Sequence, residues 1–136
     1  MKRYGNMAMI YAVLAMVGGV FYREFTKFNG FIGETTLSVV HTHYFLLGMI
    51  MALVLLLLEK SLSFGNGKTG KILVGYHIGL NLTAVMLLVR GICQTLAVEL
   101  SSGMSAAISG MAGLGHIVLG ISLVLLLVQI KKSIKE

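Results

Sequence analysis

Charge is scarce in this chain. Lys, Arg, Asp and Glu make up 12% of its 136 residues against 57% hydrophobic side chains, and the mean hydropathy is +0.90. A soluble domain carries about 25% charged residues, so this composition excludes the ordinary water-soluble classes and indicates an integral membrane protein. Proline is absent, and no linker is long enough to separate domains. Cys93 is the single cysteine, which rules out an intrachain disulfide and leaves a thiol that reads as helix packing. There is no Walker motif, nucleophile elbow, zinc knuckle or H-E-x-x-H, and membrane helices offer no strand for a dinucleotide fold.

What remains is four long apolar runs. Charge-free stretches extend from Tyr4 to Tyr22, Thr35 to Leu58, Ile72 to Val89 and Leu100 to Ile130. Each reaches the ~20 residues that cross a ~30 Å hydrocarbon core. The expected fold is therefore an all-α bundle of four transmembrane helices, about 4–23, 36–58, 71–97 and 105–130, in one domain covering 1–136. Basic residues precede the first run, but no A-x-A cleavage site follows it, so it reads as a retained helix rather than a signal peptide.

Flanking charge gives the orientation. Lys2, Arg3, Lys60, Lys68, Lys71, Lys131, Lys132 and Lys135 fall on one side, eight of the eleven basic residues. The positive-inside rule makes that side, with both termini, cytoplasmic. The net charge of +6 follows from this topology and needs no nucleic acid; the lipid bilayer, with its anionic headgroups, is the partner. Small-xxx-small pairs, Ala15/Gly19, Gly48/Ala52, Gly75/Gly79 and Ala106/Gly110, favour close helix contacts in lipid.

The polar residues inside these runs carry any function. His41 and His43 open the second run, and imidazoles are costly in hydrocarbon unless paired, solvated or ligating. With about 100° and about 1.5 Å per residue, the two side chains face opposite flanks of one helix. One ion held by a single helix needs ligands one turn apart, so the spacing suits two sites. Arg23 and Arg90 lie at similar depth near the outer end. His116 has a glycine-rich setting, and His77 lies one turn from Asn81, a spacing that suits a polar clasp between helices.

Two resemblances follow. The segment His41-Thr42-His43-Tyr44-Phe45-Leu46-Leu47-Gly48-Met49 resembles the His-x-His-Tyr segment of heme-copper oxidase subunit I, in which both histidines bind hemes. That subunit has twelve helices in three groups of four, so the resemblance implies that this chain forms one third, completed as a homotrimer. It implies His41 and His43 as axial ligands of the iron of heme b and Arg90 as a partner for the heme propionates; Arg23, by its depth, and His116, by its glycine-rich setting, are further candidate cofactor-binding residues, and without a C-x-x-C-H motif the heme is expected to be held noncovalently. The resemblance also implies electron transfer or heme and redox sensing, with a quinol or redox protein as partner. There is no adjacent His-His and no proline for a copper site, which argues against oxygen reduction. Over its whole length, through Phe21-Tyr22-Arg23-Glu24-Phe25-Thr26-Lys27, Val89-Arg90-Gly91 and Gly113-Leu114-Gly115-His116, the chain is similar to a bacterial family of small four-helix membrane proteins, a domain of unknown function. That similarity implies a multi-pass protein of the bacterial cytoplasmic membrane. The alternative is a small transporter or channel subunit whose histidines line a proton or metal path.

Overall fold

A computed structural model describes residues 1–134; Lys135, counted above for orientation, lies outside them. The described residues are all-helical, with four helices among them long and apolar enough to span a membrane: α1 (Lys2–Phe28), α2 (Leu37–Leu62), α3 (Thr69–Thr95) and α4 (Ser102–Ser133). The chain is a multi-pass membrane protein. The helices overrun the charge-free stretches by up to six residues at an end. A helix keeps satisfying its own backbone past the hydrocarbon boundary, so α1 continues through Arg23 and Glu24 to Phe28. The connection to α2 is accordingly short, and Phe28 and Ile32 beside it are exposed.

Within each span only 17% to 33% of the residues are buried, so most of the apolar surface faces outward, to lipid or to another chain. α3 lies along α4 and α1 along α2 over interfaces of like extent, and α2 touches α3. Among the described residues α1 and α4 form no substantial contact. The four helices therefore make an open arc with two free edges.

Small residues set the α3–α4 approach. A Cβ on Gly79 would press on the backbone of Leu119, and one on Gly115 would sit 2.6 Å from Thr83 Oγ1. Gly75 meets Ser122 in the same seam. Ala15 and Ala52 are fully packed, whereas Gly110 has open space around it and Ala106 is exposed.

Polar clamps fix the ends. At one end Thr35 Oγ1 donates to the Gly91 carbonyl at 2.9 Å, Thr36 Oγ1 donates to that of Leu87 at 2.7 Å, and Thr36 N–H donates to Gln94 Oε1 at 2.8 Å. At the other end the Thr69 hydroxyl accepts from Asn66 N–H and donates to Gln129 Oε1.

The least regular element is the middle of α2. Tyr44–Ile50 winds as a π-helix between two α-helical halves. Such widened turns are rare and concentrate at functional sites. Two contacts accommodate this one: Gly48 lets the Tyr11 ring lie against the backbone, where a Cβ would come within 2.5 Å, and the Leu47 carbonyl accepts from Tyr76 Oη at 2.8 Å.

Candidate functional site

His41 and His43 leave α2 toward different neighbours. His41 lies against α1, where Cβ atoms built on Gly18 and Gly19 would stand 3.7 Å from it, and its ring stacks with Tyr22 at 6.4 Å between centroids. Its Nδ1 is buried without a hydrogen-bond partner. His43 faces the other way, to His116 of α4, with centroids 6.1 Å apart and ring planes at 84°. The structure thus brings His43 and His116 together and keeps His41 apart from both.

His43 and His116 are oriented alike. The Nδ1 of His43 bonds the Val39 carbonyl at 2.7 Å, and that of His116 bonds the Ala112 carbonyl at 2.9 Å. A carbonyl only accepts, so each Nδ1 carries the ring proton and each Nε2 presents a lone pair. This is the arrangement by which a backbone carbonyl fixes the tautomer of a metal-ligating histidine. Among the described residues no hydrogen bond engages either Nε2.

The surroundings are flat and apolar. At about 100° per residue Ser109, Gly113, His116 and Gly120 lie within about 60° of one another on α4. Gly113 and Gly120 have nothing within 4 Å of where a Cβ would be, so the surface beside His116 is smooth on both sides. A cavity of about 220 Å3 lined by Thr42, His43, Leu46 and Leu47 opens beside the other ring. Arg90 crosses from α3 to α4, donating to Ser105 O at 3.1 Å and to Ser109 Oγ at 2.6 Å. Ser109 is seven residues before His116, about 10 Å along the same face. Arg23 is elsewhere: its side chain is 78% exposed and pairs with Glu24 at 3.5 Å.

Among the described residues no three His, Cys, Asp or Glu side chains gather as a metal-binding group. A bare ion such as zinc asks the protein for three or four ligands. A tetrapyrrole brings four nitrogens of its own and leaves one or two axial positions to the protein, which is what a histidine pair provides.

A second polar group was legible only in part. His77 and Asn81 of α3 do form a clasp, but its other half is tyrosine. Tyr11 of α1 stacks on His77 and its hydroxyl meets His77 Nδ1 at 2.6 Å. Asn81 Nδ2 donates to that hydroxyl at 3.1 Å and to the His77 carbonyl at 2.8 Å, while Tyr44 Oη donates to Asn81 Oδ1 at 3.1 Å. The available sequence signal was a tyrosine deep in two apolar runs, since a buried phenol needs a partner.

Comparison with known proteins places the chain in one class, the family described as "Protein of unknown function (DUF2871)". The match covers residues 1–133, and the chain belongs to that family. No curated protein and no solved structure matches it.

Proposed function

We propose that this protein is a membrane-embedded b-type heme protein with bis-histidine ligation, serving electron transfer or heme and redox sensing. One observation carries the reading: the His43 and His116 rings are neighbours across α2 and α4, each oriented by a backbone carbonyl with Nε2 left over. Their ring centroids lie 6.1 Å apart, and the two Nε2 lone pairs would hold one heme iron between the helices. The residues fit the group in other respects. The Gly113 and Gly120 face offers a flat surface, and Arg90 offers a planar guanidinium suited to carboxylate arms. Bis-histidine iron supplies one-electron exchange without an open coordination position. Holding the rings, excluding water and balancing charge then fall to the chain.

His41 stands outside this pair. Pairing His41 of one chain with His43 of the next would require His43 to leave His116 and His41 to leave Gly18 and Gly19. The local oxidase resemblance supports the homotrimer, and so does the open arc, whose free α1 and α4 edges are apolar. The lysine distribution supports termini on the cytoplasmic side of a bacterial cytoplasmic membrane.

The test is the optical spectrum of the purified protein before and after hemin is added. A sharp Soret band with resolved α and β bands on reduction, saturating at one heme per chain, is expected. Protein that stays colourless in excess hemin would overturn the reading. The transporter alternative is favoured by the Tyr44–Asn81–Tyr11–His77 hydrogen bonds, which resemble a proton path. An amide in the middle of that chain does not readily pass a proton on, which is why the heme reading is preferred. Proton uptake into protein-containing liposomes above that of protein-free ones would restore the alternative.

A further inference from the structure

The clasp leaves one polar atom without a partner. The Tyr11 oxygen accepts from Asn81 and lies 2.6 Å from His77 Nδ1; among the described residues that nitrogen is the one acceptor within reach of the phenol proton, which assigns the proton to this bond. With Nδ1 accepting, the imidazole proton sits on Nε2. Among the described residues nothing accepts from that N–H. His77 lies eight residues past the start of α3, about 12 Å along the axis. A fixed donor at that depth in hydrocarbon is costly without an acceptor, and intramembrane ionisable residues mark functional sites by default.

Beside it is a cavity. Met7, Ile10, Tyr11, His77 and Asn81 line about 270 Å3 in the cleft between α1 and α3. Drug-sized ligands occupy about 300–1,000 Å3, so this space takes one substituted ring and not a long tail. Its rim is Met7 and the exposed Ile10, so the mouth is apolar at membrane depth. The back wall is aromatic, with Tyr11 and His77 stacked at 5.5 Å.

We infer that this cleft binds the head group of a membrane-dissolved quinone. A ring dione with a prenyl tail carries an acceptor oxygen on a flat ring into the hydrocarbon, whereas the ester oxygens of phospholipids stay at the interface. One quinone carbonyl accepts from His77 Nε2–H. The ring packs between the Met7 thioether, a soft contact that favours aromatic faces, and the Tyr11–His77 wall, and the tail leaves past Ile10 into lipid. The tyrosine and asparagine are positioning residues: Asn81 spends both amide protons on Tyr11 and the His77 carbonyl, which holds the imidazole in the donor tautomer. No lining residue belongs to the histidine pair. The inference draws its biological meaning from the redox reading, but the binding itself does not depend on heme.

Photolabelling tests it, with the full chain in lipid nanodiscs, an azido derivative of short-tailed ubiquinone as probe and decylubiquinone as competitor. Covalent label is expected on the peptides carrying residues 7–11 or 77–81, falling at least tenfold with excess competitor. His77→Phe should lose the competed label. Ile10→Trp, which blocks the mouth at an outward-facing position and leaves every hydrogen bond of the clasp in place, should lose it too. His43→Ala should label like the wild type, so failure of the heme reading and failure of this one are separately visible. Uncompeted label scattered over lipid-facing residues such as Val17 and Leu125 would overturn the inference, as would competed label undiminished in Ile10→Trp.

Discussion

At the scale of single residues, four histidines in an apolar chain have three different environments. His43 and His116 are oriented by carbonyls, His77 by a tyrosine, and His41 by packing against glycine. The His-x-His spacing made the divergence of His41 and His43 legible, because 200° of rotation separates their side chains. It could not say which helix each would meet, since that depends on packing between elements distant in sequence. Glycines divide in the same way. Gly79 lies where any Cβ meets the Leu119 backbone, while Gly110 has open space around it. Gly79→Leu should therefore overpack the α3–α4 seam, costing about 1–3 kcal/mol, seen as a lower unfolding midpoint in detergent. Gly110→Leu should leave that midpoint in place. An equal loss in both variants would mean that the seam does not depend on close approach.

Among elements, the four spans were legible from hydropathy because hydrocarbon demands a continuous apolar helix. Their ends were less so, since helices outlast the charges that mark the lipid boundary. The π-helical stretch had no signal at all: Tyr44–Ile50 reads as an ordinary apolar run, and its widening follows from Tyr11 and Tyr76, which come from other helices. A widened turn carries surplus chain, and removal of one exposed residue there lets the helix return to α geometry with its two halves in phase. Deletion of Leu46 should thus preserve a folded bundle. Deletion of Leu53, in the regular part, turns everything beyond it by about 100° and carries the buried Leu55 off the core face. Monodispersity on size-exclusion chromatography reports the difference, and aggregation of both deletions alike would contradict this view of α2.

For the whole molecule, the proposed topology puts the α1–α2 and α3–α4 connections on one side of the membrane and the α2–α3 connection on the other. With Cys93 replaced by Ala, single cysteines at Asn29 and Ser102 should react with an impermeant maleimide added from outside, and one at Asn66 should react only after the membrane is opened. Labelling of Asn66 from outside would reverse the orientation taken from the lysines. The oriented histidine pair and Arg90 on the α4 face of His116 support one proposal, that heme iron would be held between α2 and α4 of a single chain. The most direct measurement is the reduced visible spectrum of the hemin-loaded protein across three variants. His43→Ala and His116→Ala should each abolish the low-spin α and β bands, while His41→Ala keeps them at one heme per chain. Low-spin bands that survive His116→Ala but vanish in His41→Ala would contradict the account.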